Sequence, residues 1–74
     1  MIKLQNILKE IPEHVFSKIS KQEFLKFVEN VFLKIERLDK INIPAAISFL
    51  KMKFINGETC IESNYIIIQN QCNN

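Results

Sequence analysis

Seventy-four residues, 47% of them apolar, with a formal charge of +2, fit one small domain. A charge so near zero sets aside the strongly basic class of nucleic-acid binders, and two cysteines are too few for a disulfide scaffold. Six phenylalanines are more large side chain than a small core readily hides, so either the core is unusually rich for its size or a second copy or another protein covers the excess.

The first pattern is Leu4, Ile7, Leu8 and Ile11, with Lys3, Gln5, Asn6, Lys9 and Glu10 between them. That spacing predicts a short amphipathic helix over 2–11, which Pro12 ends. The charges break any long apolar run, so neither a signal peptide nor a membrane span is expected, and a reducing cytoplasm is the expected compartment. Residues 12–19 form a brief second helix or turn with Val15, Phe16 and Ile19 on one side.

Ser20 and Glu23 make a capping box ahead of the longest periodic stretch, residues 20–38. Phe24, Val28, Val31, Ile35 and Leu38 repeat at spacings of four and three, and Leu25, Phe27 and Phe32 widen the stripe. This predicts a central helix packed on several neighbours, with Phe27 and Phe32 on its flanks as candidate contacts for a protein partner. Residues 39–43 connect it to a helix opened by Pro44, whose buried face is Ala46, Ile47, Leu50 and Phe54.

Past Leu50 the chain admits two readings. The helix can run to Ile55, with Gly57 capping it in a left-handed conformation. Alternatively Asn56-Gly57 is a hairpin turn joining strands 51–55 and 58–62, with Tyr65 to Gln69 as a third strand. The strand reading accounts for the run Ile66-Ile67-Ile68 and is the one preferred for residues 58–69, while residues 51–55 stay open between helix and strand. It sets Met52, Phe54, Thr59 and Ile61 on the covered face. Ile55, Cys60, Tyr65 and Ile67 are left outside, with Tyr65 and Ile67 as further protein contacts.

The expected fold is therefore α+β. About three N-terminal helices pack against a C-terminal antiparallel hairpin or three-stranded meander, in one compact domain over 1–69. Residues 70–74 form a polar tail, in which Cys72 is exposed while Cys60 is packed.

Nothing in the chain carries chemistry. His14 is the single histidine, with no ligand spacing around it, so no metal is expected. Glu10 with Glu13, and Glu58 with Glu62, read as solvated surface, and the lone glycine cannot form a phosphate loop. No catalytic residue and no cofactor can be named. Nine lysines against one arginine, with abundant Ile and Asn, fit an AT-rich genome.

The expected function is that of a non-catalytic protein-binding module. Inhibitors, antitoxin or immunity proteins, chaperones and phage-type regulators all act through an apolar and aromatic surface. One alternative is a winged-helix DNA-binding regulator, since three helices and a hairpin have that order; Ser48, Lys51 and Lys53 would then face DNA. Positions 44–50 offer only Ser48 as a polar side chain, and the wing tip would be Asn56-Gly57-Glu58, so DNA is not the favoured partner. A structural homo-oligomer is the other alternative.

Overall fold

A computed structural model describes residues 3–71. Its elements are α1 (Leu4–Lys9), α2 (Lys21–Phe32), α3 (Ile43–Ile55) and α4 (Ile61–Gln71). Single 3₁₀ turns lie at Glu13–Phe16 and Leu38–Lys40. Among the described residues there is no strand and no sheet, so the expected α+β fold is corrected to an all-helical one.

α1 follows from its apolar spacing: Ile7 and Ile11 are buried, and Leu4 and Leu8 pack beside them. Pro12, extended at φ −61° and ψ 144°, redirects the chain into the first 3₁₀ turn. Ser20 caps α2 by accepting the amide of Glu23 at 3.4 Å. α2 then buries Phe24, Phe27, Val28, Val31 and Phe32 and packs against each of the other three helices.

α2 stops at Phe32, although the periodic stripe continues to Leu38. The Leu33 amide still bonds the Glu29 carbonyl, and the two amides after it bond only three residues back, Lys34 to the Val31 carbonyl and Ile35 to that of Phe32. Arg37 then clasps Asp39 through both of its carboxylate oxygens, at 3.0 and 2.8 Å. Side chains two apart diverge on a helix, so this clasp requires the helix to have ended. Ile35 is still buried and Leu38 still packs on the core from non-helical backbone.

Asn42 caps α3 by accepting the amide of Ala45 at 3.2 Å, and Pro44 sits in the first turn. The helix runs to Ile55, so residues 51–55 are helical and the buried face is the expected Ala46, Ile47, Leu50 and Phe54, the last half-buried. Phe54 meets the rings of Phe24 and Phe27 at 5.4 and 5.9 Å. Met52, expected on the same covered face as Phe54, lies on the opposite side of the helix and is exposed.

Asn56-Gly57 is a helix stop, not a hairpin turn. Gly57 adopts φ +76°, its amide bonds the Phe54 carbonyl, and the Glu58 amide reaches back to Lys53. That pair of bonds is the Schellman stop, satisfying carbonyls that α3 leaves free.

The loop then feeds α4, where Asn64 is the buried polar side chain. Its amide nitrogen donates to the carbonyls of Glu58 and Cys60 at 2.9 and 2.8 Å. These bonds fold Glu58 to Cys60 into the entry of a helix and leave no partner strand for residues 51–55. Ile61, Tyr65 and Ile68 face α2 at spacings of four and three, with Ile68 fully buried. The β-branched run therefore becomes helical because burial of one isoleucine outweighs the strand preference of three.

One core spans Ile7 to Ile68. Asn70 and Gln71, expected in the tail, end α4; residues 72–74, with Cys72, lie outside the described residues. Cys60, expected to be packed, is exposed.

Candidate functional site

The contact residues expected from the sequence do not form one surface. Phe27 and Phe32 are 6% and 0% exposed, so both belong to the core. Tyr65 is half-buried on α4, with the Lys34 ammonium 5.7 Å from its ring centroid. Lys34 in turn pairs with Glu62 at 2.6 Å. The hydrogen bond and charge of Glu62 hold the Lys34 ammonium above the usual lysine range. Ile67, also half-buried, points away from Tyr65 because two-residue neighbours diverge on a helix.

Ser48, Lys51 and Lys53 lie on α3, and the hairpin that would supply a wing is absent from the described residues. Ser48 is exposed and Lys51 half-buried. Lys53 is committed to Glu58 at 3.2 Å and lies 5.3 Å from the centroid of the Phe49 ring. Lys51 and Lys53 are two apart and face different sides, so the three residues make no common basic surface.

The surface that does assemble runs along α3. At the N-terminal half of α3, α1 and the 3₁₀ turn after it lean over the helix and leave an open groove of about 650 Å³. Ile7, Ile11 and Ile47 line its floor, and Lys3, Glu10, His14 and Ser48 stand at its polar rim. Pro44 and Ser48 form the α3 edge of this groove. Met52 follows Ser48 by one turn and Ile55 follows Met52 by three residues, so one ridge joins the groove to the far end of the helix. Met52 and Ile55 are 63% and 60% exposed.

This ridge is diametrically opposite the buried face of Ala46, Ile47, Leu50 and Phe54. The sequence Ile43–Ile55 is apolar on both sides, and a helix that is apolar all round is normally covered on both. The signal was present in the sequence as the complement of the expected buried face. The sequence alone leaves residues 51–55 open between helix and strand, and only the helical course of α3 to Ile55 brings Pro44, Ser48, Met52 and Ile55 onto one edge.

The chemistry available is that of apolar contact. Among the described residues, no three His, Cys, Asp or Glu side chains gather where they could hold a metal ion. Cys60 precedes α4, and its Sγ accepts the Ser63 hydroxyl at 3.5 Å. That bond, with the Ser63 and Glu62 amides, sets the thiol below its ordinary pKa. The Glu62 carboxylate opposes that ionisation by its charge and does not hydrogen-bond the sulfur, so the pairing of nucleophile and base that catalysis needs is not built there. No helix of the described residues is long and apolar enough to cross a membrane. No protein-family model, curated protein or solved structure matches the chain.

Proposed function

We propose that this chain is a small non-catalytic protein-binding module of the cytoplasm that works without a cofactor. Its contact surface is the α3 ridge with the adjoining groove. The observation that carries this reading is the exposure of Met52 and Ile55 on the same helical edge as Pro44 and Ser48, which border the groove. Apolar side chains standing in water along one edge gain from a cover, and a groove with an isoleucine floor accepts apolar side chains of a partner.

A partner that presents an amphipathic helix fits best. Its apolar face would lie along the ridge and into the groove, while its flanks meet the mixed charges of Lys3, Glu10 and His14. The rim has no dominant sign, so shape and apolar area would set the affinity more than charge.

The test uses the tagged full chain to capture partners from its native cell at near-physiological salt. The expected result is a stoichiometric protein that is retained by the parent and by a Lys26→Asp control. It is lost from Met52→Asp/Ile55→Asp, with the helical content of that variant unchanged. Retention by the double variant, or recovery of nucleic acid in place of a protein, would overturn the reading.

A further inference from the structure

We infer that the α3 ridge pairs antiparallel with the same ridge of a second copy of this chain. The inference rests on reading the ridge as a contact face, and it deepens that reading by naming an occupant.

The ridge consists of Ala45, Ser48, Met52 and Ile55, all exposed, at spacings of three, four and three. That spacing is the seam of a paired helix. Its sizes are ordered: the two small residues come first and the two large ones last. A two-fold axis at the level of Leu50 sets each Ile55 opposite the other copy's Ala45, and each Met52 opposite the other copy's Ser48. Every large side chain then meets a small one, so the helices interlock at close approach without removing either helix from its own core.

The four ridge residues carry no charge, and antiparallel pairing sets the positive end of each helix beside the negative end of the other. Two residues flank the axis. Half-buried Phe49 faces its counterpart on one side and adds apolar area; half-buried Lys51 faces its counterpart on the other and repels it. Salt screens that repulsion, so this dimer tightens as salt rises, opposite to binding of a polyanion.

The area sets the strength. A stable complex buries about 1,200 Å² or more in total, half from each copy. That is roughly an eighth of the 5022 Å² that each copy exposes. α3 has 13 residues and so a length of about 20 Å, and a ridge of two small and two large exposed residues with two half-buried flanks falls short of that requirement. The dimer is therefore weak and depends on concentration.

The test is sedimentation equilibrium of the full chain, in reductant, from about 10 µM to 1 mM. The expected result is a mass rising from 8.7 kDa towards twice that value, with tighter association in higher salt. Ser48→Leu adds apolar area yet places a large residue opposite Met52, so it weakens the dimer at least tenfold. A merely sticky patch would associate more strongly. The exchange Ser48→Met/Met52→Ser keeps one large and one small residue in each pair and restores association to within about threefold of the parent. A chain monomeric throughout the range overturns the dimer, as does Ser48→Leu associating at least as well as the parent, or failure of the exchange to restore it in a variant that melts like the parent. These outcomes leave capture of another protein by the ridge to its own test.

Discussion

The side-chain amide of Asn64 donates to the main-chain carbonyl of Glu58 at 2.9 Å, so the first turns of α4 hold the loop that leaves α3. The same nitrogen reaches the Cys60 carbonyl at 2.8 Å. Asn64 is buried, and its truncation takes this donor from the Glu58 carbonyl, while the Cys60 carbonyl keeps the Asn64 main-chain amide at 3.2 Å. Asn64→Leu should cost about 1–3 kcal/mol. Asn64→Asp should be worse at neutral pH despite its matching shape, because a carboxylate would face two carbonyl oxygens. That burial raises the carboxyl pKa in the folded state. The loss is therefore fully present above the folded pKa and shrinks as pH falls and the protonated acid donates again. Denaturant unfolding of the Asp variant across pH checks this; a stability that falls with acidification would contradict it.

The stop at Gly57 makes a separate, purely conformational demand. Its φ is +76°, and a Cβ placed there would meet nothing within 4 Å. Gly57→Ala therefore adds no clash with a neighbour, only the left-handed backbone penalty of about 1–2 kcal/mol. Gly57→Asn should cost less, since asparagine tolerates that region. A D-alanine introduced by synthesis should be at least as stable as glycine. If Gly57→Ala melts like the parent, the Schellman stop is not the conformation in solution.

The first two-thirds of the fold were legible in the sequence because they rest on local spacing. Leu4 to Ile11 gave a helix face, Ser20 gave its cap, and Ala46 to Phe54 gave the buried side of α3. Asn56-Gly57 was not decidable locally, since positive φ serves a hairpin and a Schellman stop equally. The choice was made by Asn64, whose side chain bonds the Glu58 and Cys60 carbonyls, and by the space for Ile68 against α2. The first is a side-chain bond to main chain six and four residues back, the second a contact between helices far apart in sequence, and apolar periodicity reports neither. The candidate surface was lost with that choice: Met52 was assigned to a covered sheet face that never forms. Six phenylalanines suggest more rings than one core holds and set Phe27 and Phe32 on the flanks of the central helix, yet the rings of Phe16, Phe24, Phe27 and Phe54 pack together and absorb much of that excess.

Phe24 is the centre of that ring cluster. It is fully enclosed, with its ring edge-on to Phe16 at 6.1 Å and to Phe54 at 5.4 Å. Phe24→Ala removes both aromatic contacts and opens a cavity that three elements border, at a cost of about 3–5 kcal/mol. For a domain of this size that is a large part of the total stability, so the variant should be partly unfolded at room temperature. Far-UV circular dichroism during heating is the measurement; a cooperative melt near that of the parent would place Phe24 outside the core.

Cys60 should react faster with alkylating agents than an ordinary exposed thiol near neutral pH. The Ser63 hydroxyl is the largest cause of its lowered pKa, ahead of the Ser63 and Glu62 amides. In a Cys72→Ser background, Ser63→Ala should move the inflection of the alkylation rate to higher pH and lower the rate at pH 7. The amides remain, so part of the depression should survive. An unchanged profile would mean that the hydroxyl does not reach the sulfur.

The two sides of α3 should separate in a mutational test, and this distinguishes a helix that is apolar by function from one that is apolar by packing. Leu50 is fully buried, so Leu50→Ala should cost about 2–5 kcal/mol. Met52→Gln and Ile55→Gln replace side chains that already stand mostly in water, and glutamine favours a helix as well as isoleucine does. Each should change stability by less than about 0.5 kcal/mol. If the ridge were held in the fold by contacts within the chain, the glutamine variants would melt early. If it is a surface kept for another molecule, they melt like the parent and are deficient only in association. Thermal melts at low protein concentration, where self-association contributes nothing, read the first property alone. Sedimentation at high concentration reads the second.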